Sequence, residues 1–144
     1  MKYNFSDKQW LLKGKDALKI LVIDDDETTL DFHKKLLQKA GHNVAVATDS
    51  TKAILMLEND NYDILIQDLF RPGLNGVELL EELSNRKKDI PTIIISGNLD
   101  NTDRDLGKAV RKFNCVAYFK KPFDVKQLLA VLDELMGRQK RGDE

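Results

Sequence analysis

Five short apolar runs punctuate the chain, at Ile20–Ile23, Val44–Ala47, Ile64–Ile66, Ile93–Ile95 and Val116–Phe119. None shows helical periodicity, and runs this brief and continuous predict buried parallel strands. Between them, apolar residues recur at three- and four-residue spacing. The first such stretch carries Leu30, Leu37 and Ala40 and ends at Gly41, a left-handed cap. The second starts at Ser50 or Thr51 and carries Ala53, Ile54 and Leu57. A third opens with Asn75 and Glu78 in capping-box spacing, then Val77, Leu80 and Leu83. The fourth runs from Thr102 through Leu106, Ala109, Val110 and Phe113. The fifth starts at Asp124 and holds Leu128, Leu132 and Leu135 before Gly137.

Strand–helix alternation of this kind predicts an α/β fold, a doubly wound parallel sheet with helices on both faces. Five strands favour the flavodoxin-like order 2-1-3-4-5, counted from Ile20–Ile23, which sets the ends of strands one and three side by side. Residues 18–137 are therefore expected to form one domain. Residues 1–17 fall outside the alternation. Ser6, Gln9 and Gly14 could frame a short helix presenting Phe5, Trp10, Leu11 and Leu12, expected to pack back on the domain. Residues 138–144 read as a tail or the start of a linker, leaving no room after Gly137 for an output domain in this chain.

Composition narrows the class. A chain of 144 residues that is 42% hydrophobic and 33% charged has enough apolar material for a full core. A formal charge of −1 offers no electrostatic reason to bind nucleic acid. No apolar stretch approaches the roughly 20 residues that span a bilayer. The single cysteine, Cys115, cannot form an internal disulfide and fits a reducing, cytoplasmic setting. His33 and His42 lie far from metal-ligand spacing and are expected at the surface.

The chemistry gathers at strand ends. Asp24-Asp25-Asp26 follows the first strand, Asp68 ends the third, Ser96 the fourth, and Lys121 follows the fifth. Open α/β sheets place their ligand crevice at those carboxyl ends. Clustered carboxylates disfavour one another's ionisation unless a cation joins them. Mg²⁺, which prefers hard oxygen donors, suits the set. One of the three consecutive acids is expected to be a helix cap. Asp25 and Asp68 can ligate the ion, while Asp24 can hold a water of its shell. A carboxylate oxygen of Asp68 can then attack phosphorus, giving an aspartyl phosphate. Mg²⁺, Lys121 and the Ser96 hydroxyl would each neutralise one equatorial oxygen. Gly97 leaves the approach route open.

These pieces resemble a two-component response-regulator receiver domain. The match runs through Ile20-Leu21-Val22-Ile23-Asp24-Asp25-Asp26, Ile66-Gln67-Asp68-Leu69-Phe70-Arg71-Pro72-Gly73-Leu74-Asn75-Gly76, Ile95-Ser96-Gly97 and Tyr118-Phe119-Lys120-Lys121-Pro122-Phe123, in family order and spacing. The resemblance implies that Asp68 accepts phosphate from the histidine of a kinase or phosphotransfer protein. It implies a metal set of Asp24, Asp25, Asp68 and the Phe70 backbone carbonyl. It also implies that Tyr118 is the switch aromatic, that the Lys121–Pro122 bond is cis, and that the chain is a monomer or a phosphorylation-dependent dimer. The protein would be a switch that signals through a protein partner, not a turnover enzyme. The face made by helix four, strand five and helix five would change on phosphorylation.

Some positions depart from the commonest pattern. Arg71 stands where the family often has Met, and Phe70 and Asn98 occupy positions that influence phosphoryl loss. Asn114-Cys115-Val116-Ala117 replaces a Gly-Ala-rich turn. The rival reading is a haloacid-dehalogenase-like phosphatase, since Asp24-Asp25-Asp26-Glu27-Thr28 also satisfies Asp-x-Asp-x-Thr. Asp24 would then be the nucleophile and Asp26 the general acid. Against it, no acidic pair follows the lysine on a further strand, and Asp68 would have no role.

Overall fold

The computed structural model describes residues 2–3, 12–69, 90–96 and 115–137, with backbone alone at 2, 3, 68, 69 and 96. Its elements are β1 (Lys2–Tyr3), β2 (Lys19–Ile23), α1 (Glu27–Lys39), β3 (Asn43–Ala47), α2 (Ser50–Asn59), β4 (Ile64–Leu69), β5 (Thr92–Ser96), β6 (Cys115–Lys120) and α3 (Val125–Leu135). The helices expected after Asn75 and from Thr102 lie outside the described residues.

Five strands are parallel and lie in the order β3-β2-β4-β5-β6, the arrangement expected from the apolar runs. The central strands are buried on both faces at Ile20–Ile23, Ile64–Gln67 and Thr92–Ile95, while β3 at the edge is largely half-buried. Leu30 and Leu37 of α1 and Leu128, Val131, Leu132 and Leu135 of α3 share one core with Ile20, Val22, Ile64, Ile66, Ile93 and Ile95. On the other face, Ala53 and Leu57 of α2 pack with Leu21, Ile23, Ala47 and Leu65. Successive strand residues face opposite sides, which is why the runs read as continuous and not alternating. Truncating one of these fully buried leucines, such as Leu37, to alanine would cost roughly 2–5 kcal/mol.

The helix boundaries follow local chemistry. Asp26, Asp49 and Asp124 are N-caps whose carboxylates accept bonds from the N–H groups of Thr28, Lys52 and Lys126. Asp49 caps α2, one residue before the start expected at Ser50. Gly41, just past the Ala40 cap of α1, has φ +100°, a conformation open to glycine at little cost.

The structure departs from expectation at two places. A sixth strand, β1, pairs antiparallel with the outer edge of β6, Lys2 opposite Tyr118 and Tyr3 opposite Ala117. Further along the same segment, Leu12 is buried in the main core and the Gly14 N–H donates to the Met136 carbonyl at 2.8 Å. Phe5, Trp10 and Leu11 lie outside the described residues. The second departure is the histidines, which are buried and not at the surface. His42 Nδ1 accepts the Leu18 N–H at 3.1 Å, so the ring closes the backbone where β2 begins. His33 sits on the core side of α1, its ring 5.7 Å from that of Phe32.

Cys115 is 1% exposed, and burial pushes its thiol from 9.0 up to about 12. Between those values the unfolded chain has released the proton that the folded chain still holds. The contribution is therefore complete below pH 9.0 and lost as pH rises towards about 12. Denaturant unfolding of wild type should lose stability with rising pH more steeply across this window than Cys115→Ala does. In the native protein at neutral pH, Cys115 should resist thiol reagents that label it at once in denaturant.

Candidate functional site at the carboxyl edge of the sheet

Strand register builds the site. β2 and β4 pair Ile20 with Ile64 through Ile23 with Gln67, so Asp24 and Asp68 follow at the same level on adjacent strands. β4 and β5 pair Leu69 with Ser96, and β5 and β6 pair Ser96 with Lys120. Lys121 comes next. Four of the expected groups, Asp24, Asp68, Ser96 and Lys121, are thus delivered to one edge by strand pairing. The side chains of Asp68 and Ser96, and Phe70, Arg71, Gly97 and Asn98 altogether, lie outside the described residues.

The three consecutive acids have separate environments. Asp24 is 2% exposed; its N–H extends the β2–β3 ladder by donating to the Ala47 carbonyl at 3.1 Å. Its Oδ1 accepts the Asp26 N–H at 3.0 Å, which folds the loop over it. Asp25, in contrast, is exposed. Asp26 is the helix cap expected of one member. Its Oδ2 accepts the Thr29 hydroxyl at 2.8 Å and its Oδ1 the Thr28 N–H at 3.0 Å. The Thr29 hydroxyl, then the Thr28 N–H, hold the Asp26 carboxyl below its ordinary range, and the Lys121 ammonium acts in the same direction. Lys121 therefore lies near enough to the acidic loop for its charge to be felt there.

This arrangement disfavours the phosphatase reading. A general acid must carry a proton near neutrality. Asp26 has both oxygens engaged by donors and a lowered pKa, so it stays ionised. Thr28 and Thr29, two and three residues after the acid, supply the donors that make Asp26 a cap.

The donors available suit Mg²⁺. Asp24 and Asp25 supply hard carboxylate oxygens, one buried and oriented by a backbone N–H, one open to solvent, and the register adds Asp68 beside them. Among the described residues no group of three His, Cys, Asp or Glu converges on one point; the third carboxylate of the expected set belongs to Asp68. On the lysine side, Lys121 is half-buried and the Lys121–Pro122 bond is cis, as expected. Phe123 then packs its ring 5.1 Å from that of Phe119. Tyr118 is half-buried on β6. Gln67, immediately before Asp68, is 4% exposed, and among the described residues its Oε1 has no hydrogen-bond partner; its part in the site was not legible from the sequence.

With this geometry in view, the chain belongs to the response regulator receiver domain family, whose pattern matches residues 20–133. It is 28% identical over 122 residues to the response regulator SaeR of Staphylococcus aureus, covering 85% of this chain and 52% of that protein. The chain thus spans about half the length of the curated relatives it matches. The receiver domain of a Francisella response regulator is 30% identical with TM-score 0.70, over 82% of this chain and 95% of that one. The response regulator TrrA of Thermotoga maritima, solved in complex with Mg²⁺ and BeF, is 26% identical with TM-score 0.68, over 82% of this chain and 98% of that one. The chain is a receiver domain of two-component signal transduction. Among the described residues, no helix is long and apolar enough to cross a membrane.

Because Asp26 acts as a cap, Asp26→Asn should keep α1 capped and leave Mg²⁺ affinity within a few-fold of wild type. Asp26→Ala should lower unfolding stability by about 1 kcal/mol. Asp25→Asn, which deletes a charge from the open side of the cleft, should weaken Mg²⁺ binding at least tenfold in a calorimetric titration.

Proposed function

We propose that this receiver takes a phosphoryl group on Asp68 from a phosphohistidine of a kinase or phosphotransfer protein. What supports this assignment is the strand register, which sets Asp24 level with Asp68, Ser96 one position further on and Lys121 two, all at the carboxyl edge of the sheet. An Asp68 carboxylate oxygen attacks phosphorus. The bond from phosphorus to the donor's imidazole nitrogen breaks, and that nitrogen keeps the electron pair and takes up a proton. Asp24, Asp25, Asp68 and the Phe70 carbonyl would hold Mg²⁺, which supplies positive charge to one phosphoryl oxygen. Lys121 neutralises a second oxygen and the Ser96 hydroxyl donates to the third. Hydrolysis of the acyl phosphate resets the domain, so the protein is a self-limiting switch and not a turnover enzyme.

The output follows from movement at Ser96. Its hydroxyl turns toward the phosphoryl group, Tyr118 turns inward, and the surface around β6 and α3 changes for a downstream protein. Phosphorylation biases an equilibrium between two conformers. The setting is cytoplasmic, with no direct contact to nucleic acid or membrane; the domain spans residues 18–137.

Incubation with acetyl phosphate and Mg²⁺ should add one phosphoryl group by intact-mass measurement, mapped to Asp68. Asp68→Asn should abolish it, and chelating Mg²⁺ should slow it at least a hundredfold. Persistence of the mark in Asp68→Asn, with its loss only in Asp24→Asn, would return the phosphatase reading. Phe70→Asn should shorten the lifetime of the mark severalfold, because an apolar ring beside the acyl phosphate excludes water.

A further inference from the structure

The outer edge of β6 is where a parallel sheet would present unpaired N–H and C=O groups to solvent. Here residues 2–3 cover it, and the contact falls on a particular place. Among the described residues β1 and β6 share two register pairs: Lys2 with Tyr118, the proposed switch aromatic, and Tyr3 with its neighbour Ala117. On its opposite side Tyr118 is in register with Ile94 of β5, two residues before Ser96. The backbone of Tyr118 is therefore clasped between the strand that carries the switch hydroxyl and the chain's own first strand.

We propose that β1 is a cis-acting cap on the β6 edge, docked in the unmodified protein and released when Asp68 is phosphorylated. The proposal rests on Asp68 being the phosphoacceptor and Tyr118 the switch. Its physical basis is the length of the ladder. Two residues make very few hydrogen bonds, which puts this contact at the low end of local stabilities. A displacement of the Tyr118 backbone removes one of the two pairs.

Release would also be local and reversible. Leu12 is 4% exposed in the main core, and the Gly14 N–H holds the Met136 carbonyl at the end of α3. The Lys13 side chain lies over Gly137, 2.8 Å from where a Cβ would be. With residues 12–14 anchored there, a freed β1 stays tethered near the edge it left and returns when the mark is lost. The freed edge can then accept another extended segment by strand addition.

Hydrogen exchange on the full chain tests this, with beryllofluoride plus Mg²⁺ as the phosphoryl mimic and ¹⁹F NMR confirming its binding. Occupancy should speed exchange across residues 117–118 at least tenfold and leave the buried ladder between β2 and β4 unchanged. Binding linkage is reciprocal, so loss of the cap must favour the occupied state. The double variant Lys2→Pro/Tyr3→Pro, which removes the N–H of both residues and so whichever one faces β6, should bind beryllofluoride about fivefold tighter, a coupling of ordinary size. Lys2→Ala/Tyr3→Ala, which keeps the backbone donors, should bind as wild type does. Beryllofluoride bound at Asp68 with exchange at 117–118 unchanged, or a proline variant with wild-type affinity, would overturn the cap and leave the receiver reading standing. Failure of wild type to bind the mimic would overturn both.

Discussion

Carboxylates brought together at the end of a buried parallel sheet repel one another, and the strands that carry them cannot move apart. β2 and β4 are neighbours held by a continuous ladder, so Asp24 and Asp68 emerge at one level. Asp24 is buried, where the repulsion is least screened. The residues present suit a divalent cation there, and Lys121, following β6, brings a positive charge to the same edge. The remaining features of the domain serve to hold these few groups in register.

The acidic loop shows how neighbouring residues of one type acquire different roles. Asp24 is turned into the protein and bonded to the Asp26 N–H. Asp25 is left exposed, and Asp26 is spent on the first turn of α1. Burial, exposure and two threonine donors give the three acids separate environments, with Asp26 taken up as the cap. The same physics removes Asp26 from consideration as a proton donor.

Much of this was legible in the chain. Each apolar run became a strand, extended by one to three residues, among them the polar Lys19, Asn43, Gln67, Asp68, Thr92, Ser96 and Lys120, which continue the ladder. Those polar residues pair through their backbones, which hydrophobicity does not register. The cap at Asp124 and the left-handed Gly41 were also readable, because capping depends on residues within one turn. His33 and His42 were misjudged for the opposite reason. Spacing excludes them as ligands but says nothing about whether a distant backbone N–H, such as that of Leu18, waits for an imidazole.

The sequence by itself determined the local elements and the types of group at each strand end, since periodicity and side-chain chemistry are properties of short segments. Strand order was already implied by the alternation; only the tertiary structure decided the register at which the strand ends meet, because register arises from pairing between segments tens of residues apart. It alone set Lys121 near Asp26, sank Asp24 while leaving Asp25 open, and laid Lys2–Tyr3 along the edge at Tyr118. A two-residue strand has no pattern of its own; it exists only because β6 offers it hydrogen bonds.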